Sequence, residues 1–167
     1  KDLDGLPFVE KYGITYGGPG RRASTYGFKL DDEAETFVRI SVCECDSSAF
    51  SIFGFKIIRD YGAANEKRIW ITESALRNLC MDPENPVFPE SGRWRVLQGG
   101  GAIAGIIEDV PFTSALNLDP DVAGIVIMGP QDPVWSEYII KMNNPSRENI
   151  GILDKLCEDA TKDSKRH

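Results

Sequence analysis

Four cysteines, a single histidine and a surplus of carboxylates are the residues of this 167-residue chain that could do chemistry. Cys43 and Cys45 stand two apart in a stretch with strand alternation, so they share one face. A bond between them would distort that strand, and each would more naturally reach elsewhere. Cys80 and Cys157 fall in segments that read as helical and are candidate disulfide partners. Four cysteines allow three full pairings, and spacing does not choose among them. The competing reading is four reduced thiols packed as small hydrophobes. Cys-x-Cys with two distant cysteines lacks the paired spacing of structural zinc, so no metal is expected.

The histidine is His167, the last residue, preceded by Lys162-Asp163-Ser164-Lys165-Arg166. A Ser-His-Asp triad, a Cys-His pair and a His-ligated zinc all need an imidazole held by packing and a second layer of hydrogen bonds. A chain end is poorly placed to supply that, and the tail 162–167 is expected to be flexible. Hydrolysis without histidine would fall to a carboxylate pair. Glu108 and Asp109 close one strand-like segment, and Asp60 and Glu137 border others, but spacing brings no two of them together. Asp31-Asp32-Glu33 and Asp119-Pro120-Asp121 lack the ligand spacing and internal glycine of an EF-hand. Gly99-Gly100-Gly101 has Ala104 where a dinucleotide loop wants its last glycine. A strand rather than a helix follows, so no aimed set of N–H groups awaits a pyrophosphate. Gly17-Gly18-Pro19-Gly20 reads as a solvated hairpin tip. No cofactor is expected.

Rigid aromatic loops are the positive signal. Met128-Gly129-Pro130-Gln131-Asp132-Pro133-Val134-Trp135 is stiffened by prolines and carries a large ring. Trp94 stands beside Arg93 and Arg95. Preorganised aromatics of this kind anchor protein interfaces because little entropy is lost on binding. Gln131, Asp132, Trp135, Trp94 and Arg93 are therefore the candidate partner-binding residues, with filling of the core by the two tryptophans as the competing reading.

The elements that must position these residues follow from periodicity. Strands are expected at Gly13 to Tyr16, Thr25 to Leu30, Thr36 to Cys45, Phe50 to Arg59, Arg68 to Ile71, Arg93 to Gln98, Ala102 to Glu108, Val122 to Met128 and Glu137 to Met142. In the third, Val38, Ile40 and Val42 face one way and Arg39 and Ser41 the other, as in a half-buried strand. It forms a hairpin with Phe50 to Arg59 through a turn at Cys45-Asp46-Ser47-Ser48. Thr72 caps a short helix through Leu79 or Cys80. Ser146 caps a final helix whose Ile150, Leu153, Leu156, Cys157 and Ala160 should dock on the sheet. Ile103-Ala104-Gly105-Ile106-Ile107 and Val122-Ala123-Gly124-Ile125-Val126 resemble each other, as two buried strands with similar packing needs would. The expected fold is one β-rich α+β domain over residues 1–167. Its sheet has about eight mostly antiparallel strands, with a short internal helix and a C-terminal helix packed on it.

Nineteen basic against 26 acidic residues give a net charge of −7. That argues against nucleic acid, whose binders need a basic face, and suits a basic protein partner. No apolar run approaches the ~20 residues that span a bilayer, so membrane insertion is not expected. The missing catalytic groups point away from an enzyme. The expectation is a non-catalytic protein-binding domain, an inhibitor or toxin-neutralising immunity protein acting through rigid loops. Its location is periplasmic or secreted if the cysteines are bridged, and cytoplasmic if they are reduced. The alternative is a carboxylate hydrolase or carbohydrate-binding module with Trp94 and Trp135 lining a cleft.

Overall fold

A computed structural model describes residues 3–20, 24–28, 37–62, 67–88, 102–112, 123–130 and 137–164. Along these run β1 (Val9–Tyr16), β2 (Ser24–Phe28), β3 (Val38–Cys45), α1 (Ser47–Phe53), β4 (Ile57–Asp60), β5 (Arg68–Thr72), α2 (Glu73–Asn78), β6 (Ala102–Ile107), β7 (Ala123–Met128), β8 (Glu137–Met142) and α3 (Arg147–Ser164). The eight strands form one sheet in the order β4-β6-β5-β7-β3-β1-β8, with β2 paired to β3 off that path. This is a sheet-rich α+β fold, as composition and alternation suggested.

The sheet is mixed, so the expectation of a mostly antiparallel one holds only in part. β3 runs parallel to β7, and β5 parallel to β6. Parallel neighbours need a long crossover, and residues 73–101, which begin with α2, supply one between β5 and β6. The other pairings, β1 with β3 and β8, β2 with β3, β4 with β6 and β5 with β7, are antiparallel.

Both faces of the central strands are buried. Ile40, Val42, Ile69, Ile71, Ile106 and Ile125 face one core beneath α2, with Leu79, Met81 and Phe88. Cys43, Cys45, Trp70, Ile107 and Val126 face a second core with α1 and Phe55. β3 is therefore not half-buried: Ser41 is as buried as Ile40, at 0 % exposure each. Strands covered on both sides read as continuous apolar runs, which is why 103–107 and 122–128 look alike.

The hairpin between β3 and Phe50 to Arg59 does not form. Asp46 accepts a hydrogen bond from Ala49 N at 2.7 Å and starts α1, and Gly54 stops it in the left-handed region at φ 67°. Of the aromatics read as a strand, Phe50 and Phe53 lie on α1 and Phe55 follows its end. Phe50 packs on Phe55 and Trp70 at ring separations of 5.0 and 5.4 Å. Asp46 also accepts from Ile14 N at 3.0 Å, so one carboxylate caps α1 and ties it to β1. Asp46→Ala should cost about 1–3 kcal/mol in chemical denaturation, more than a cap alone, because two backbone donors lose their acceptor. An unchanged midpoint would show that water replaces both bonds.

Two further expectations are corrected. Gly17 and Gly18 are buried, not a solvated tip. Gly18 sits at φ 141° with no room for a Cβ, which would lie 2.6 Å from Phe53 Cζ. The final helix starts at Arg147, with Ser146 Oγ accepting from Asn149 N, as its capping pattern predicted. Among the described residues it does not dock on the sheet: Ile150 and Ile152 are 44 % and 39 % exposed, and Leu153 and Leu156 only half-buried. Its apolar stripe is narrow, while both core faces are already filled by α1, α2 and their loops. No helix among the described residues is long and apolar enough to cross a membrane.

Candidate functional site

An open groove of about 470 Å³ lies where α2 meets the β4 end of the sheet. Ile58 of β4 and Ile106 of β6 line its sheet side. Glu73, Leu76 and Arg77 of α2 form one wall, and Arg59 and Pro83 complete it. The groove exists because α2 is short and sits over β5 and β7, leaving the β6–β4 face partly uncovered.

Local sequence sets each wall. Thr72 leaves β5 in extended conformation and caps α2, accepting from Ala75 N at 3.2 Å. The same oxygen accepts from Gly124 N of β7 at 3.0 Å. With both lone pairs used, its proton goes to Ser74 Oγ, 2.9 Å away. Glu73 in the first turn and Arg77 in the last complement the helix dipole. Asp109, just after β6, accepts from Ser74 N at 2.7 Å and pairs with Arg77 at 3.2 Å. Burial pushes the Asp109 carboxyl up, but the Ser74 N–H and the Arg77 guanidinium outweigh it and hold the group below the usual aspartate range.

The loop after α2 is fastened to β4 by its polar groups. Arg59 makes a bidentate pair with Glu84, both contacts at 2.7 Å, and donates to Pro83 O at 2.6 Å. Its guanidinium lies 5.7 Å from the centre of the Tyr61 ring, whose hydroxyl donates to the same carbonyl at 2.6 Å. Glu84 holds the Arg59 guanidinium above its ordinary pKa, and Arg59 lowers the Glu84 carboxyl. Lys56 pairs with Glu108 at the other end of β4.

The carboxylates here are engaged with neighbouring groups. Glu108 is taken by Lys56, Asp109 by Ser74 and Arg77, and Asp60 accepts from Gly62 N at 2.8 Å. Glu137 lies on β8, at the opposite end of the sheet from β4. Among the described residues no two of these candidate carboxylates face each other, and no His, Cys, Asp or Glu cluster could hold a metal.

None of the four cysteines is bridged. Cys43 and Cys45 share a face of β3 as expected, but that face is the core against α1. The Cys45 thiol is pushed far up, first by its hydrogen bond to Cys43 and then by burial, so it stays protonated. The candidate pair Cys80 and Cys157 is exposed on separate elements, Cys80 in the left-handed turn that ends α2 at φ 51°. A thiol reagent should modify Cys80 and Cys157 in the folded protein, and Cys43 and Cys45 only after denaturation. Fast reaction of all four would mean that the α1 core opens readily.

Gln131, Asp132, Trp135, Trp94 and Arg93, the loop residues singled out by sequence, lie outside the described residues, as do Gly99-Gly100-Gly101 and His167. The groove was missed because its walls come from β4, α2, β6 and the 82–88 loop. The one local signal is the run Pro83, Pro86 and Pro89, which marks the loop from Asp82 to Gly92 as a candidate contact surface and carries Glu84.

No protein-family model matches the chain, and no curated protein matches it. Among solved structures, the fold is similar to one from Porphyromonas gingivalis described as "a domain of a putative Permease protein". The TM-score is 0.53 at 17% identity, covering 98% of this chain and 73% of that one. At that identity the likeness concerns the fold.

Proposed function

We propose that this chain is a non-catalytic protein-binding domain, with the β4–α2 groove and the segments carrying Trp94 and Trp135 as its contact surfaces. The observation that carries the reading is apolar exposure on β4 and in the loop after α2: Ile58, which lines the groove, is 47 % exposed, and Ile57 and Val87 are 45 % and 62 % exposed. Exposed aliphatic side chains beside a preorganised polar rim are what interfaces bury. Loop residues Gln131, Asp132, Trp135, Trp94 and Arg93 belong to the same proposal, as does a basic partner for an acidic chain. The partner could be a toxin or enzyme, making this an inhibitor or immunity protein. The fold likeness favours a second form of the reading, in which the domain is a docking unit of a larger transport assembly.

A photo-crosslinking residue at position 58, and another at 135, tests the reading in the native host. It predicts one recurrent protein adduct, suppressed by Ile58→Asp or by Trp135→Ala. Robust turnover by the purified protein, abolished by a single carboxylate substitution, would replace it with the hydrolase reading.

A further inference from the structure

We propose that the β4 edge and the groove beside it take up an extended, lysine- or arginine-rich apolar segment of a partner protein as an added strand. This deepens the binding reading above and rests on it. Three observations converge. β4 ends the sheet, and among the described residues no strand pairs with it on the side away from β6. A segment laid there would satisfy backbone groups along the edge while setting alternate side chains into the groove. The groove is walled by a helix on one side and the edge strand on the other, so the slot already has the cross-section of a strand plus side chains.

Register sets how much strand is added. β4 is four residues long and carries a bulge between Ile57 and Arg59. The bulge turns both Ile57 and Ile58 toward solvent and keeps the straight edge short. Bulged, short edges resist pairing with a second copy of themselves. A short segment of a different protein fits better than self-association.

Charge decides what that segment carries. Each described cation at the groove is already claimed: Lys56 by Glu108, Arg59 by Glu84 and Arg77 by Asp109. Among the described residues three more carboxylates have no ion-pair partner, although Glu73 lies in the field of Lys56. Glu73 lines the groove, Asp60 ends β4 and accepts only from Gly62 N, and Asp82 accepts only from Glu84 N. The surplus is negative, matching the whole chain at −7. An acidic segment would meet three carboxylates and no available cation, whereas a basic one meets complementary charge at both ends of the edge.

The test uses the full chain and three labelled peptides: Lys-Val-Lys-Val-Lys, Glu-Val-Glu-Val-Glu, and the lysine peptide with methylated backbone nitrogens. Fluorescence anisotropy reads affinity, and amide chemical shifts read location. The lysine peptide should bind, perturb the amides of Ile57 to Asp60, and weaken about three- to tenfold with Glu73→Gln. The acidic and backbone-methylated peptides should not bind. Equal binding of the methylated peptide would overturn strand addition, and equal binding of the acidic one would overturn the charge argument. Shifts confined to other elements would overturn the site. Partner adducts at position 135 that survive Ile58→Asp would keep the binding-domain reading and remove this site. Absence of any partner adduct at 58 and 135 would remove the reading itself.

Discussion

Gly105→Ala should unseat β4 and lower stability by roughly 3 kcal/mol, or about 6–12 °C in melting temperature for a chain of this size. A Cβ at Gly105 would lie 2.0 Å from the carbonyl oxygen of Arg59 and 2.8 Å from Trp70 Cζ3. The first neighbour is backbone and the second a ring fully enclosed in the α1 core, so neither can step aside cheaply. The cheapest relief is separation of β4 from β6, and that also dismantles one wall of the groove. Amide protection should therefore fall at Ile57 to Asp60 more than at β3 or β7. Gly151→Ala is the contrast: it sits on exposed α3 with nothing within 4 Å of the new methyl. There alanine should be neutral or gain up to about 1 kcal/mol. Equal effects at the two positions would show that the β4–β6 contact is loose.

Thr72→Val should cost about 2–4 kcal/mol, although it keeps the shape of the side chain. The hydroxyl oxygen takes two backbone N–H groups, Ala75 N of α2 and Gly124 N of β7, and Thr72 as a whole is 1 % exposed. Valine leaves both donors buried without an acceptor, and each loses its full desolvation cost rather than the smaller net value of a hydrogen bond. Thr72→Ser should recover most of the loss, because it restores the oxygen and removes only a methyl group. Equilibrium denaturation of the two variants separates these terms. If valine and serine are equally stable, the oxygen carries little and the methyl packing dominates.

What the chain declared in advance was mostly local. Thr72 before Glu73 and Ser146 before Arg147 marked helix starts, and each hydroxyl does cap. The apolar runs in β6 and β7 marked buried strands. Pairing was less legible, because alternation records which face is buried and not which neighbour lies alongside. Nothing in Val38 to Cys45 says that β7 runs parallel to it. At Phe50 to Phe55 two local rules competed. Aromatic content favoured a strand, while Asp46 and Gly54 bracketed a helix, and the brackets won because each supplies a conformation or bond that an aromatic does not. The final helix misled in the other direction: its spacing was right, but an apolar stripe promises a partner only where core surface is left to cover. The groove had no linear signature, since Arg59 meets Glu84, and Ser74 meets Asp109, only after the crossover has folded.

The register of β1 with β8 sets Val9 opposite Met142, and the ladder runs from there to Thr15 opposite Glu137. The strand that enters the sheet first and the one that leaves it last thus start and finish side by side at one edge. Antiparallel bonds lie across the strands. A pull between the beginning of β1 and the end of β8 would load the Val9–Met142 end first and open the ladder bond by bond. The same pull would not reach β3, β5 and β7 until that edge had parted. Under tension the molecule behaves as a zipper attached to a rigid plate, yielding at its edge while the doubly covered strands keep their packing.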